Sequence, residues 1–525
     1  MKKVFNLFDL SQKVNYRTEV LSGLTVALAL VPEAIAFAMI AGFSPLTGLY
    51  AAFTMGLITA VLGGRPGMIS GATGAVAVVF VGLIITLREA HPGIGPEEIL
   101  QYVFATVILA GLIQIITGVL RLGKFIRLVP QPVMFGFVNG LAIIIFTAQF
   151  PHFYQKESDQ LLQGTAMMVM LGFVALTMLI IWGLPKLTRA IPSSLAAILL
   201  VSAIVIGFNI ETTTVADTLK EGETIRGGFP PLTIPAIPFN WEIFMLILPY
   251  SAIVAGVGMI ESLLSLNIID EITETRGRSN KECIAQGTAN IVSGFFSGMG
   301  GCAMLGQSLI NISSGARARL SGIVASVGLL CFIMFGSALI EKLPMAALVG
   351  VMFMVAIGTF EWASLKTFRK MPASDVIVMV LVTLITAFTH NLAVAVLIGV
   401  ILSALAYAWE NAKRIRARKH IDDNGIKHYE IYGPLFFGSV QGFADKFDAL
   451  NDPDEIIIDF AESRVADMSA IEALNSVTQR YAKRGKTVHL RHLSKDCRRL
   501  LRNAEAIVDV NIMEDPSYKV MTDKI

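Results

Sequence analysis

Two carboxylates stand where a hydrophobic run should have none. Glu261 lies in VGMIESLLSLNIID, and Glu33 follows Pro32 in LVPEAIAFAMIAG. An ionised carboxylate at bilayer depth is costly and faces a cavity or a partner. Glu261 and Ser265 are four apart, so they share one helical face, with Ser262 adjacent. A carboxylate and a hydroxyl so placed can ligate Na+, or the carboxyl can carry a proton. Either would couple a substrate to a cation gradient. The plainer reading of Glu261 is a structural hydrogen bond to a neighbouring helix, and Glu33 fits an interface cap as well as a site wall.

Two glycine-rich stretches interrupt the apolar pattern. GGRPGMISGATGAVAVV spans 63–79, with a helix expected to start near Thr73 or Gly74. SGMGGCAML spans 297–305, with a helix expected near Ala303. Non-helical backbone is tolerated in a membrane only where protein buries it or a cavity adjoins it. Each half-helix presents free N–H groups and the positive end of its dipole. Two such ends, reached from opposite sides, make a cavity for an anion without an arginine, as expected of a transporter built from inverted repeats. The alternative is that the glycines only permit close helix packing.

These residues need a scaffold of spans. The chain has 525 residues, 54% hydrophobic and 16% charged, against about 25% charged in soluble domains. About twenty apolar residues cross a bilayer, and candidate spans fall near 20–41, 44–62, 70–87, 99–120, 128–150, 165–184, 191–208, 244–268, 280–297, 302–315, 317–339, 343–358, 373–390 and 391–409. Several are short or broken by Gly and Pro, so twelve is an alternative to fourteen. With the N-terminus inside, the cytoplasmic connections collect most basic residues, including Arg65, Arg121, Arg276, Arg317, Arg319, Lys366 and the run KRIRARK at 413–419. The outer side gets Arg88, Lys156, Lys220, Arg226, Lys342 and the acidic loop NIETTTVADTLKEGET. That bias predicts an even number of spans with both termini cytoplasmic. The N-terminus shows no cleavable signal peptide, and the location expected is the cell inner membrane.

The character changes after His420. HYEIYG, EIIIDFA and KTVHLRHL read as strands, and SAIEALNSVTQRYAKRG and SKDCRRLLRNA as amphipathic helices. The domain reading is therefore a cytoplasmic segment 1–19, a transport domain 20–410, a basic linker 411–420 and a soluble α/β domain 421–525. His390 and Asn391 read as a structural outside turn. The four cysteines have no disulfide or metal-ligand spacing. GMGGCAMLG lacks the strand–helix–acidic surroundings of a nucleotide loop. With no triad, zinc set or Walker sequence, an enzyme or ATP-driven pump is not expected, nor is a nucleic-acid partner.

VPEAIAFAMIAGFSPLTGLYAAF, ISGATGAVAVV, the Glu261 helix and NKECIAQGTANIVSGFFSGMGGCAMLGQSLINISSGARARLSGI resemble the SulP anion transporters, which carry a C-terminal STAS domain. The resemblance covers essentially the whole chain. It implies an α-helical polytopic membrane protein of about fourteen segments, two inverted seven-segment repeats in core and gate halves, with a small cytoplasmic α/β STAS-like domain, and it implies a homodimer. By position it places an anion between Gly71, Ala72, Thr73, Gly74 and Ala75 and Cys302, Ala303, Met304 and Leu305. It assigns Glu261 and Ser265 to the coupling cation, as a Na+ site in bicarbonate-transporting members. Many members carry an arginine where this chain has Gln307, so sulfate is weakened, and bicarbonate or a carboxylate moved with H+ or Na+ is better placed. DFAESRVADMSAIEAL resembles the STAS turn whose serine, here Ser469, can be phosphorylated and so alter docking on a cytoplasmic partner. A capping box of Ser469 with Glu472 is the structural alternative.

The function expected is secondary active transport of a small anion (bicarbonate, sulfate or a C4-dicarboxylate) coupled to Na+ or H+, with no cofactor beyond a coupling Na+. The alternatives are an uncoupled exchanger or channel of the same fold, a nucleobase permease, and a membrane-anchored regulator acting through the soluble domain.

Overall fold

A helix lies in each of the fourteen apolar windows. The computed structural model describes residues 15–123, 130–154, 160–187, 192–218, 227–238, 240–368, 370–389, 392–503 and 511–513. In chain order the helices are α1 (Tyr16–Ile40), α2 (Pro45–Leu62), α3 (Gly74–Ala90), α4 (Pro96–Val119), α5 (Gln131–Thr147), α6 (Thr165–Leu187), α7 (Ser193–Gly207), the one-turn α8 (Val215–Thr218), α9 (Trp241–Thr273), α10 (Ser279–Phe295), α11 (Leu305–Ser313), α12 (Leu320–Glu341), α13 (Met345–Thr359), the short α14 (Trp362–Thr367), α15 (Ala373–Thr389) and α16 (Leu392–Ala412). Among the described residues, seven helical stretches are long and apolar enough to cross a bilayer unaided. Local chemistry sets the starts. Pro45 and Pro96 open α2 and α4 at the position where a missing N–H costs nothing. At the head of α9, Asn240 accepts from the Ile243 amide at 2.8 Å. The helix α1 begins at Tyr16, capped by Asn15, so the expected boundary at 19/20 falls inside it. His390, Asn391 and part of the acidic outer loop lie outside the described residues.

The chain divides into two units, Met1–Val400 and Ile401–Ile525. Packing in the first repeats itself. α1 lies on α12 as α9 lies on α4, α2 lies on α12 as α10 lies on α4, and α5 lies on α15 as α13 lies on α6. Equivalent elements are therefore seven spans apart, the relation two seven-segment repeats produce. α1 and α9, which this relation matches, each carry an internal proline, Pro32 and Pro249.

The second unit holds a five-stranded sheet, β3 (Arg416–Ile421), β4 (Lys427–Leu435), β5 (Glu455–Val465), β6 (Thr487–Arg491) and β7 (Asn511–Ile512), in that order. β3 runs antiparallel to β4, and the remaining pairs are parallel. Helices α17 (Val440–Ala444), α18 (Met468–Ala482) and α19 (Lys495–Asn503) complete it, and Tyr429, Phe443, Ile458, Leu474, Tyr481 and Leu490 share its core. Two expectations are corrected here. The basic stretch 411–420, read as a linker, contributes the edge strand from Arg416. A charged edge strand has no apolar alternation to reveal it, and charge is a usual guard of such edges. The cap of α18 is Asp467, which accepts from the Ala470 amide at 2.9 Å. Ser469 is the second residue of the helix, so the Ser469–Glu472 capping box does not form.

Candidate functional site

The glycine-rich stretches meet as a two-stranded antiparallel ladder, β1 (Ser70–Gly71) with β2 (Cys302–Ala303), pairing Ser70 with Ala303 and Gly71 with Cys302. Each strand leads into a half-helix. Thr73 and Met304 hold extended backbone immediately before α3 and α11. The crossing is too close for side chains: a Cβ on Gly301 would sit 1.9 Å from the Gly71 carbonyl oxygen. Gly300 adopts φ +70°, a conformation glycine takes without penalty.

The free main-chain donors follow from this geometry. The first helical bond of α3 runs from Ala77 N to Thr73 O, and that of α11 from Ser308 N to Met304 O, both at 3.0 Å. The amides of Gly74, Ala75 and Val76, and of Leu305, Gly306 and Gln307, therefore have no intrahelical acceptor. The amides of Ala303 and Met304 are already engaged, with Ser262 Oγ at 3.1 Å and Ile69 O at 2.8 Å. Helix α11 starts at Leu305, two residues after the expected Ala303, because the ladder keeps Cys302 and Ala303 extended. The available donors thus run past the expected set to Val76, Gly306 and Gln307.

Glu261 and Glu33 both reach the α11 branch. Glu261 Oε2 accepts from the Cys302 thiol at 2.7 Å, and the Thr73 hydroxyl lies 3.3 Å from the same sulfur. Ser265, one turn along α9, is buried and has no hydrogen bond to Glu261. Gln307 Nε2 donates to Glu33 Oε1 at 2.6 Å, while Gln307 Oε1 is buried without a partner. Leu30 packs against Gly71, and Phe37 and Ile145 against Gly74, so α1 and α5 wall one side. Gly306, at the head of α11, is exposed, and Glu33, Glu261 and Leu305 are half-buried. Among the described residues, no lysine or arginine bonds to Thr73, Glu33, Glu261, Cys302 or Gln307.

A second layer escaped the reading of the sequence. Glu282, Gln286, Asn290 and Ser293, all fully buried, line one face of α10 behind the crossing. Their spacing of four, four and three was a visible signal of a polar face.

The model of the sulfate permease family matches residues 16–383. The chain belongs to the sulfate permease family. A STAS domain matches residues 419–515, taking in the end of β3 and agreeing with the corrected boundary. Relatives within the family include a putative sulfate transporter, YbaR, of Bacillus subtilis, 41% identical over 95% of this chain and 99% of that protein. The bicarbonate transporter BicA of a Picosynechococcus species is 31% identical over 93% of this chain and 90% of its own. The solved transmembrane domain of a cyanobacterial BicA matches 75% of this chain and 98% of that one, with a TM-score of 0.62 and 29% identity. The structure of SLC26A9 superposes with a TM-score of 0.79 over 96% of this chain and 90% of that one, at 18% identity, which establishes the shared fold. This sulfate permease family member is thus a multi-pass membrane transporter with a C-terminal STAS domain, and not an enzyme.

Proposed function

We propose that the chain carries a small anion by secondary active transport, bound at the facing amide ends of α3 and α11 and coupled to Na+ or H+ through Glu261. The carrying observation is the antiparallel crossing of β1 and β2, which sets two half-helix N-termini at one place with unspent donors. Among the described residues, Glu33 and Glu261 reach this place and no basic side chain bonds there. A doubly charged anion would meet those carboxylates with only two dipole ends to offset them. A monovalent anion such as bicarbonate, or a carboxylate accompanied by H+ or Na+, suits that balance better than sulfate. The names of the relatives, sulfate and bicarbonate transporters, support the anion class. In this reading Glu261 and Ser265 hold the coupling Na+, or Glu261 carries the proton, and Glu33 and Gln307 line the wall. The chain works in the inner membrane as a homodimer with cytoplasmic termini, and its STAS domain receives a regulatory partner.

One observation favours the uncoupled reading. The Glu261–Cys302 hydrogen bond is the kind of structural contact that would explain the carboxyl without any coupling. Uptake of labelled bicarbonate into proteoliposomes, first under an inward Na+ gradient and then an inward H+ gradient, separates the two, with sulfate and fumarate as cold competitors. Accumulation under either gradient supports coupling. Equilibration without accumulation under both supports an exchanger or channel.

A further inference from the structure

The free amides of α3 and α11 are main-chain groups, so no rotamer change can correct their aim. Whatever fixes the two extended leads fixes the site. Helix α10 touches both. Glu282 Oε2 accepts from the Gly64 amide at 2.6 Å, on the approach to β1, and its Oε1 accepts from Gln286 Nε2 at 2.8 Å. Gln286 Nε2 also donates to Ser70 Oγ, in β1 itself, at 2.8 Å. About one turn of helix beyond Gln286, the other lead is held. Asn290 Oδ1 accepts from the Gly301 amide at 3.0 Å, and its Nδ2 donates to the Gly301 carbonyl at 3.2 Å and to Gln114 Oε1 at 2.9 Å. Ser293 Oγ accepts from the Gly300 amide at 3.2 Å.

We infer that α10 is the positioning strut of the anion site, with Gln286 setting the α3 branch and Asn290 the α11 branch. The inference rests on the reading that the anion binds at these half-helix ends. None of the four side chains bonds to the free amides of residues 74–76 or 305–307, so they act through the backbone they hold. Four polar side chains on a span cost stability, the more so because Gln286 Oε1 is buried without a hydrogen-bond partner among the described residues. A packing role would be served by leucine. Their placement on both sides of one crossing, where Gly301 and Gly71 touch, is what a device for relative alignment requires.

The test uses the full chain in proteoliposomes with labelled bicarbonate as probe, comparing wild type with Asn290→Ala, Asn290→Asp and Gln286→Leu. Asn290→Ala and Gln286→Leu should each raise KM about tenfold, with the maximal rate per folded transporter changed less than about twofold. Asn290→Asp keeps the acceptor for the Gly301 amide but sets a carboxyl oxygen against the Gly301 carbonyl and Gln114 Oε1, where Nδ2 donated, so KM should stay raised about tenfold. A second measurement does not depend on transport: maleimide labelling of Cys302, followed by peptide mass mapping, should run about tenfold faster in both loss variants as the lead loosens. Lower yield with unchanged KM and unchanged Cys302 labelling would reduce the face to ordinary packing and overturn the inference. Should Asn290→Ala fail to fold, Gln286→Leu carries the same comparison. If wild type takes up neither bicarbonate, sulfate nor fumarate, the functional reading fails, while Cys302 labelling still reports whether α10 aligns the leads.

Discussion

The two half-helices share a backbone plan and differ in their side chains. Each follows an extended residue, and each opens with three unspent amides. The head of α3 is packed by Phe37 and Ile145, and its cap residue, Thr73, makes no capping bond and leans on Cys302 instead. Helix α11 is bonded along its length: Gln307 to Glu33, Ser308 to Ile69, and Asn311 to Ser22, Gly67 and Ser321. Glu33 and Glu261 both reach the α11 branch, through Gln307 and through Cys302. In the proposed reading the first branch supplies a dipole end, and the second adds the carboxyls assigned to the cation or proton.

The sharpest way to break the crossing on which both branches depend is Gly301→Ala. The added methyl would lie 1.9 Å from the Gly71 carbonyl, so folded yield and uptake should both be lost. Gly306→Ala, whose methyl meets nothing within 4 Å, should leave folded yield unchanged by size-exclusion chromatography. Equal yields from the two would refute the close crossing.

The asymmetry itself predicts unequal effects from comparable losses. Gln307→Leu removes the one side-chain hydrogen bond that Glu33 makes among the described residues and should lower uptake efficiency about tenfold. Thr73→Val removes a weak contact with a thiol and should cost about threefold or less. A larger effect at Thr73 would reverse the assignment of chemistry to α11.

The smallest effect on transport is expected in the STAS unit. Burial would raise the Asp452 carboxyl, but hydrogen bonds from Lys427, Tyr429 and Tyr481 outweigh it and hold the group below the usual aspartate range. The stabilisation is therefore present above the unfolded value, about 4, and is lost as pH falls through the folded one. Asp452→Asn should destabilise this unit by about 3 kcal/mol, read by limited proteolysis of the full chain, and should weaken its acid transition, to which Asp422 and Asp448, also held low by hydrogen bonds, still contribute. KM for the anion should stay unchanged.

Much of this architecture was legible. Apolar length located every span helix, and the interruptions at 63–79 and 297–305 located both half-helices, because glycine at bilayer depth has few uses. What escaped depended on pairing. Nothing local says that Cys302 and Ala303 must stay extended; the partner strand at Ser70–Gly71, more than two hundred residues earlier, imposes it, and the free amides shift accordingly. The Glu261–Cys302 and Glu33–Gln307 contacts join distant segments for the same reason. Ser469 failed as a cap because Asp467, two residues earlier, reaches the Ala470 amide first. The α10 face was readable from spacing alone, yet its purpose appears only once both leads are seen to rest on it.

The most direct test of the central claim is Glu261→Gln in proteoliposomes, assayed for gradient-driven accumulation and for counterflow of the transported anion. Glutamine keeps an acceptor for the Cys302 thiol and removes the charge. The account predicts that accumulation is abolished while the folded protein persists and counterflow remains. Unchanged gradient-driven accumulation would take Glu261 out of the coupling and leave it a structural partner of Cys302.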